Sequence, residues 1–263
     1  MSSDAQVLLG DPWTAHRRRA TRLLEEQPHA AEMLSFYLAL VEAWTEVTAG
    51  LTPEAETLAE LASSRVMPSV LEAAVTAAPA PVREAVLACF HESRPAQLVS
   101  RWLRGETLPP AERFLARASA APLLERSEEL ARASGVEPVD SRHCPTCGGP
   151  PQLSFFGLSE EALVSAPRQL LCSRCAATWT YPRMVCAGCG NEDTSKLPIY
   201  SDAAQFGHLR VDACEVCRCY LVTVEMPKQP SAVPAIDELT ALPLDLYARE
   251  RGFQKITPNL MGF

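Results

Sequence analysis

Cys144-Pro-Thr-Cys147-Gly148, Cys172-Ser-Arg-Cys175, Cys186-Ala-Gly-Cys189-Gly190 and Cys214-Glu-Val-Cys217 decide how this 263-residue chain is read. They are four Cys-x-x-Cys pairs, all in the C-terminal half. A loop of this kind sets two sulfurs on one side of a tight turn and aims backbone N–H groups at them. Two such loops close a tetrahedral shell of four thiolates around zinc or iron. Spacers of 24, 10 and 24 residues separate the pairs, so the first two recur as the last two at an offset of 42. Self-similarity at a fixed period marks two copies of one small unit.

The offset groups Cys144, Cys147, Cys172 and Cys175 as one site, and Cys186, Cys189, Cys214 and Cys217 as a second. In each copy the leading loop is followed by glycine (Gly148, Gly190) and the trailing loop by another residue (Ala176, Arg218). Glycine adopts a positive φ freely, so this matched asymmetry supports the same grouping. A rival grouping stays open, with Cys172/Cys175 joined to Cys186/Cys189 across the short spacer. Redox-active dithiols are the other alternative, but a thioredoxin-like pair needs a βαβ context. Cys219 breaks the pattern and reads as a spare small residue. Cys89, among Val86, Leu87 and Phe90, reads as core. His143 and His208 neighbour sites that already have four ligands.

Outward from the cysteines the grammar differs on the two sides. Residues 1–140 hold one cysteine, four glycines and no lysine, and are rich in alanine, leucine and glutamate. These are helix formers. Helices are predicted over 12–27, 30–49, 53–64, 68–78, 81–93, 95–104 and 109–134, the last broken near Pro122. In the second, Met33, Phe36, Tyr37, Leu40, Val41 and Trp44 form an apolar stripe. Gly50 acts as a stop and Thr52-Pro53-Glu54 as a restart. From His143 onward short β-prone runs take over: 153–156, 169–171, 178–181, 197–200, 209–211 and 220–224. A last helix over 235–251 ends at Gly252 and is kinked or split at Pro243.

Charge and composition exclude several function classes. The chain carries a formal −8, with 13 basic against 20 acidic residues in 1–140. A nucleic-acid binder would show a basic face instead. With 47% hydrophobic residues and no long apolar run, no membrane insertion is expected, and no secretory signal. Eight of ten cysteines in metal-type pairs point to a reducing cytoplasm rather than a disulfide scaffold. A closed four-thiolate shell leaves no open position for substrate. No phosphate loop, nucleophile elbow or His-Glu-x-x-His helix occurs. No enzyme is expected.

With that order established, the chain resembles the FdhE family of formate dehydrogenase accessory proteins. The resemblance rests on Cys144-Pro-Thr-Cys147-Gly148, on Leu171-Cys-Ser-Arg-Cys175 followed by Trp179, on Val185-Cys-Ala-Gly-Cys189, and on Asp212-Ala-Cys-Glu-Val-Cys217 with Tyr220-Leu221. The tail from Asp237 to Phe253, then Pro258-Asn259-Leu260, also looks like that family's C-terminus, while the helical half agrees only in character. These motifs cover residues 143–263.

The resemblance implies an α+β chain: an N-terminal α-helical domain (1–140), two tandem rubredoxin-like or zinc-ribbon-like β modules (141–183 and 184–228), and a C-terminal helix and tail (229–263). It implies two metal ions per chain, iron or zinc, each held by four cysteines. It also implies a cytoplasmic role in maturing or activating respiratory formate dehydrogenase, by contact with its catalytic subunit. The alternatives are a rubredoxin-like electron carrier and a zinc-ribbon nucleic-acid adaptor, which the charge disfavours.

Overall fold

The computed structural model describes residues 11–49, 57–158 and 166–262. The stop at Gly50 and the restart at Thr52-Pro53-Glu54 lie outside them. The first half is helical: α1 (Thr14–Glu26), α2 (Ala31–Thr48), α3 (Leu58–Leu61), α4 (Met67–Ala77), α5 (Ala80–Glu92), α6 (Pro95–Leu103), α7 (Pro110–Arg126) and α8 (Glu128–Ala133). The stripe expected on α2 is the buried one, with Phe36, Tyr37, Leu40, Val41 and Trp44 inside and Met33 half-buried at its start.

Two helix breaks differ from expectation. The chain does not stop between 64 and 68, because a π-helical turn over Ala62–Val66 joins α3 to α4. Met67 N–H donates to the Ala62 carbonyl there. The slip in register takes up the proline that follows, which has no N–H to offer. Helix α7 likewise runs straight through Pro122, and the break falls at Ser127, which caps α8 by accepting from Leu130 N–H at 3.2 Å. Helix α7 is buried without interruption from Phe114 to Leu124. Burial on all sides marks it as the central helix of the bundle.

The second half forms one seven-stranded sheet from β1 (Pro151–Phe156), β2 (Arg168–Cys172), β3 (Thr178–Thr180), β4 (Ile199–Tyr200), β5 (Leu209–Ala213), β6 (Cys219–Glu225) and β7 (Gln254–Lys255). The order is β3-β2-β1-β6-β5-β4. Each cysteine unit therefore supplies three strands, and the second unit repeats the order of the first. The seam is the parallel pairing of β1 with β6, Ser154–Phe156 against Thr223–Glu225. Ser154 and Thr223 hydroxyls meet across it at 2.6 Å. Where β1 leaves β6, β7 takes its place, pairing with Cys219 and Tyr220.

Strand β5 alternates as a half-buried strand should. Leu209, Val211 and Ala213 are buried in the cluster with Leu244, Ala248 and Phe253 of the tail. Arg210 and Asp212 alternate with them and are half-buried. The tail helix is split into α9 (Pro234–Asp237), a 3-10 turn over Glu238–Ala241 and α10 (Leu242–Glu250). Pro243 sits in the first turn of α10, where its missing N–H costs no intrahelical bond. Gly252 follows with φ +76°, the C-terminal stop the sequence implies. No described helix is long and apolar enough to cross a membrane.

Candidate metal centres

All four Cys-x-x-Cys loops share one backbone fold. In each, the N–H of the first cysteine donates to the carbonyl five residues on: Cys144 to Gly149, Cys172 to Ala177, Cys186 to Asn191 and Cys214 to Cys219, at 2.8–2.9 Å. Backbone N–H groups also point at sulfur, Thr146 at Cys144, Arg174 at Cys172 and Gly188 at Cys186, at 3.3–3.4 Å. The residue after each loop has a positive φ: 67° at Gly148, 55° at Ala176, 77° at Gly190 and 59° at Arg218. The trailing loops thus adopt the same turn as the leading ones despite carrying a Cβ. At Gly148 no side chain fits, since a Cβ would lie 2.2 Å from the Val136 carbonyl oxygen.

The turns bring the sulfurs together in two groups of four, each group's atoms lying within 4.8 Å of one another. One group is Cys144, Cys147, Cys172 and Cys175, and the other is Cys186, Cys189, Cys214 and Cys217. Joining the inner two pairs across the short spacer is therefore not what the chain does. The sulfurs of Cys147 and Cys172 are 3.4 Å apart, and those of Cys144 and Cys175 are 3.7 Å apart. In the second group Cys186–Cys217 and Cys189–Cys214 measure 3.7 and 3.8 Å. A tetrahedron with metal–sulfur bonds of about 2.3 Å has edges of about 3.8 Å. None of the eight is in a disulfide.

Electrostatics favour a cation in both groups. Contact with the Cys144, Cys147 and Cys175 thiols, together with burial, pushes Cys172 well above the usual thiol range. Contact with the Cys147, Cys172 and Cys175 thiols holds Cys144 well below it. In the second group burial raises Cys186 to about 11. Four sulfurs this close cannot all ionise unless a positive ion compensates them. The donor set fits zinc or iron.

The two groups have different surroundings. The first is wholly buried, and its cysteines pack in the same apolar cluster as the helices. Arg174, inside the second loop, donates to the Leu103 carbonyl at 3.0 Å and stacks over Trp102 at 5.7 Å. In the second group Cys189 and Cys217 are half-exposed. His143 and His208 belong to neither group: they pair with Asp140 at 3.0 Å and Asp237 at 2.7 Å. Cys219 only approaches the Cys217 carbonyl, at 3.5 Å. Cys89 is half-buried against the helical core.

Spacing did not reveal a buried network that ties the helices to the sheet. Asp237, Glu238 and Asp245 from the tail are fully buried. Lys255 of β7 lies 2.8 Å from Glu238 and 3.1 Å from Asp245. Tyr220 of β6 donates to Asp245 at 2.9 Å. Gln152 of β1 donates to Glu238 and accepts from Arg117 of α7. Arg19 of α1 donates to Asp237 at 3.0 Å. Acids in a helical pattern ordinarily read as a solvated face. The signal that could have found these is their place in or next to the apolar run Ile236–Leu244, shortly before one of the chain's three lysines.

Comparison with known proteins agrees with this geometry. The family model described as "FdhE, C-terminal domain" matches residues 184–261. The FdhE homologue of Aquifex aeolicus is 33% identical over 121 residues, 46% of this chain and 42% of that protein. The FdhE homologue of Pseudomonas aeruginosa is 29% identical over 207 residues, 73% of this chain and 65% of that protein. The aligned stretch thus spans less than two thirds of either relative. The crystal structure of the FdhE protein from Pseudomonas aeruginosa superposes with a TM-score of 0.68, covering 95% of both chains at 24% identity, and so shares the fold. The chain is thus similar to FdhE proteins, through a matching C-terminal domain over residues 184–261 and a shared fold.

Proposed function

We propose that this chain is a non-enzymatic accessory factor that matures or activates a respiratory formate dehydrogenase in the cytoplasm by binding its catalytic subunit. The observation that carries the reading is the pair of four-cysteine groups set in an FdhE-type chain. We assign Cys144, Cys147, Cys172 and Cys175 to one metal ion and Cys186, Cys189, Cys214 and Cys217 to another, iron or zinc in each. Residues 1–140, 141–183, 184–228 and 229–263 are its four working segments. Each shell is closed, so the metal orders the chain rather than activating a substrate. The test is co-purification of the chain with the catalytic subunit, paired with formate dehydrogenase activity in a deletion strain. Wild-type activity in that strain would sink the reading.

A second reading, a rubredoxin-like electron carrier, is favoured by the half-exposed Cys189 and Cys217. Iron in a thiolate shell can cycle by one electron and zinc cannot. Ferric-thiolate absorption in the visible supports this reading, and a colourless protein with two zinc ions removes it.

A further inference from the structure

Beside the second cysteine group, an open groove of about 720 Å³ runs along the sheet, with Phe156, Arg168, Asp212 and Leu221 in its floor. Its charge is unlike that of the rest of the chain. Among the described residues, Arg168, Arg183, Arg210 and Lys228 line it against Asp212 and Glu225, whereas the whole chain is at −8. The Arg183 and Arg210 guanidinium groups lie 4.6 and 5.3 Å from the centre of the Phe156 ring.

The carboxylates present are oversubscribed. Asp212 accepts from Arg210 at 2.9 Å and from Thr223 at 2.7 Å, and is the acid nearest Arg168, at 3.6 Å. Glu225 serves both Arg210 and Lys228. Arg168 is 3% exposed, and its Nε has no hydrogen-bond partner. Its Nη1 donates to the Val185 carbonyl at 3.0 Å, so what the buried guanidinium lacks is a close counter-charge and a partner at Nε, and that shortfall is costly. Leu158, Met184 and Ile199 stand exposed at the rim.

We infer that this groove receives an acidic segment of the client protein, with carboxylates facing the arginines and apolar side chains against the rim. The inference rests on the accessory-factor reading, since the client is the formate dehydrogenase catalytic subunit. Two or more carboxylates would complete the charge balance that Asp212 and Glu225 leave unfinished.

The test uses the full chain and purified catalytic subunit, with binding followed by interferometry at about 50 and about 300 mM salt. Arg183→Glu/Lys228→Glu reverses two exposed charges. Ile199→Asp alters the apolar rim independently. Arg18→Glu, on the exposed face of α1, is the control. Metal content and circular dichroism verify that each variant is folded. The expected result is binding that weakens with salt in the wild type, falls on the order of tenfold in the double variant and in Ile199→Asp, and is unchanged in Arg18→Glu. Wild-type binding that both groove variants match within about twofold overturns the groove while leaving the accessory reading intact. No binding by the wild type overturns both.

Discussion

The Trp44 indole N–H donates to the Ala118 carbonyl across 2.9 Å. Ala118 is the residue four before Pro122, so its carbonyl has no helical N–H to accept, and α2 supplies a donor to α7 instead. Trp44 is 2% exposed and packs against Trp13 at 5.6 Å. Trp44→Phe keeps most of the packing and orphans the carbonyl, at a cost of about 1–3 kcal/mol. Pro122→Ala restores the helical donor, so Trp44→Phe should cost about 1 kcal/mol less in that background. Urea denaturation of the four proteins of this cycle reads the coupling. Costs that add to within about 0.3 kcal/mol would mean that the proline and the indole act independently.

The same contact shows what was legible in the sequence and what was not. The α2 stripe and the alternation of β5 are local signals, and both sit where their periods imply. The 42-residue offset also matches how the eight cysteines are grouped in space. Pro122, by contrast, reads locally as a break, and the donor that replaces its missing N–H comes from Trp44, 74 residues before Ala118. The π-helical turn before Pro68 carries the helix past the proline by a slip in register that an apolar period does not show. The β1–β6 seam joins residues 69 apart and leaves no periodic trace. Asp237, Glu238 and Asp245 look like surface acids until Arg19, Gln152, Tyr220 and Lys255 are placed around them.

Ala176 occupies a left-handed backbone position, φ 55°, that a Cβ disfavours by about 1–2 kcal/mol. Glycine there gains flexibility in the unfolded chain, which offsets part of the relief. Ala176→Gly should therefore raise stability by about 0.5–1 kcal/mol, read as a higher melting temperature with metal content unchanged. Arg218→Gly should not, although φ is 59°, because Arg218 stacks over Phe253 at 4.1 Å and that contact would be lost. Equal gains at the two positions would refute this account.

His16 gives the chain an acid-sensitive element. Burial lowers its pKa from 6.5 to about 4, and its Nδ1 lies 2.8 Å from the Tyr37 hydroxyl. The unfolded chain therefore takes up this proton at higher pH than the folded one. The stability from neutral His16 is present above pH 6.5 and is lost as pH falls toward 4. His16→Gln keeps a hydrogen-bonding group near Tyr37 and cannot titrate. It should flatten the stability profile across that window by on the order of 2 kcal/mol relative to wild type. Parallel profiles for the two proteins would show that His16 is not the group responsible.

The two cysteine groups should release metal at different rates. Cys144, Cys147, Cys172 and Cys175 lie within the helical core, with Arg174 bridging to Leu103. Cys189 and Cys217 are half-exposed. A chelator reaches the second group without opening the core, whereas the first requires local unfolding of helices as well as of the loops. Release followed with a chromogenic chelator should show a fast and a slow phase of equal amplitude. Cys189→Ala should remove the fast phase with a modest fall in melting temperature. Cys147→Ala should remove the slow phase with a larger fall, because the core around α7 loses its anchor along with the metal. A single release phase, or equal falls in melting temperature for the two variants, would mean that burial does not govern how tightly the chain holds its metals.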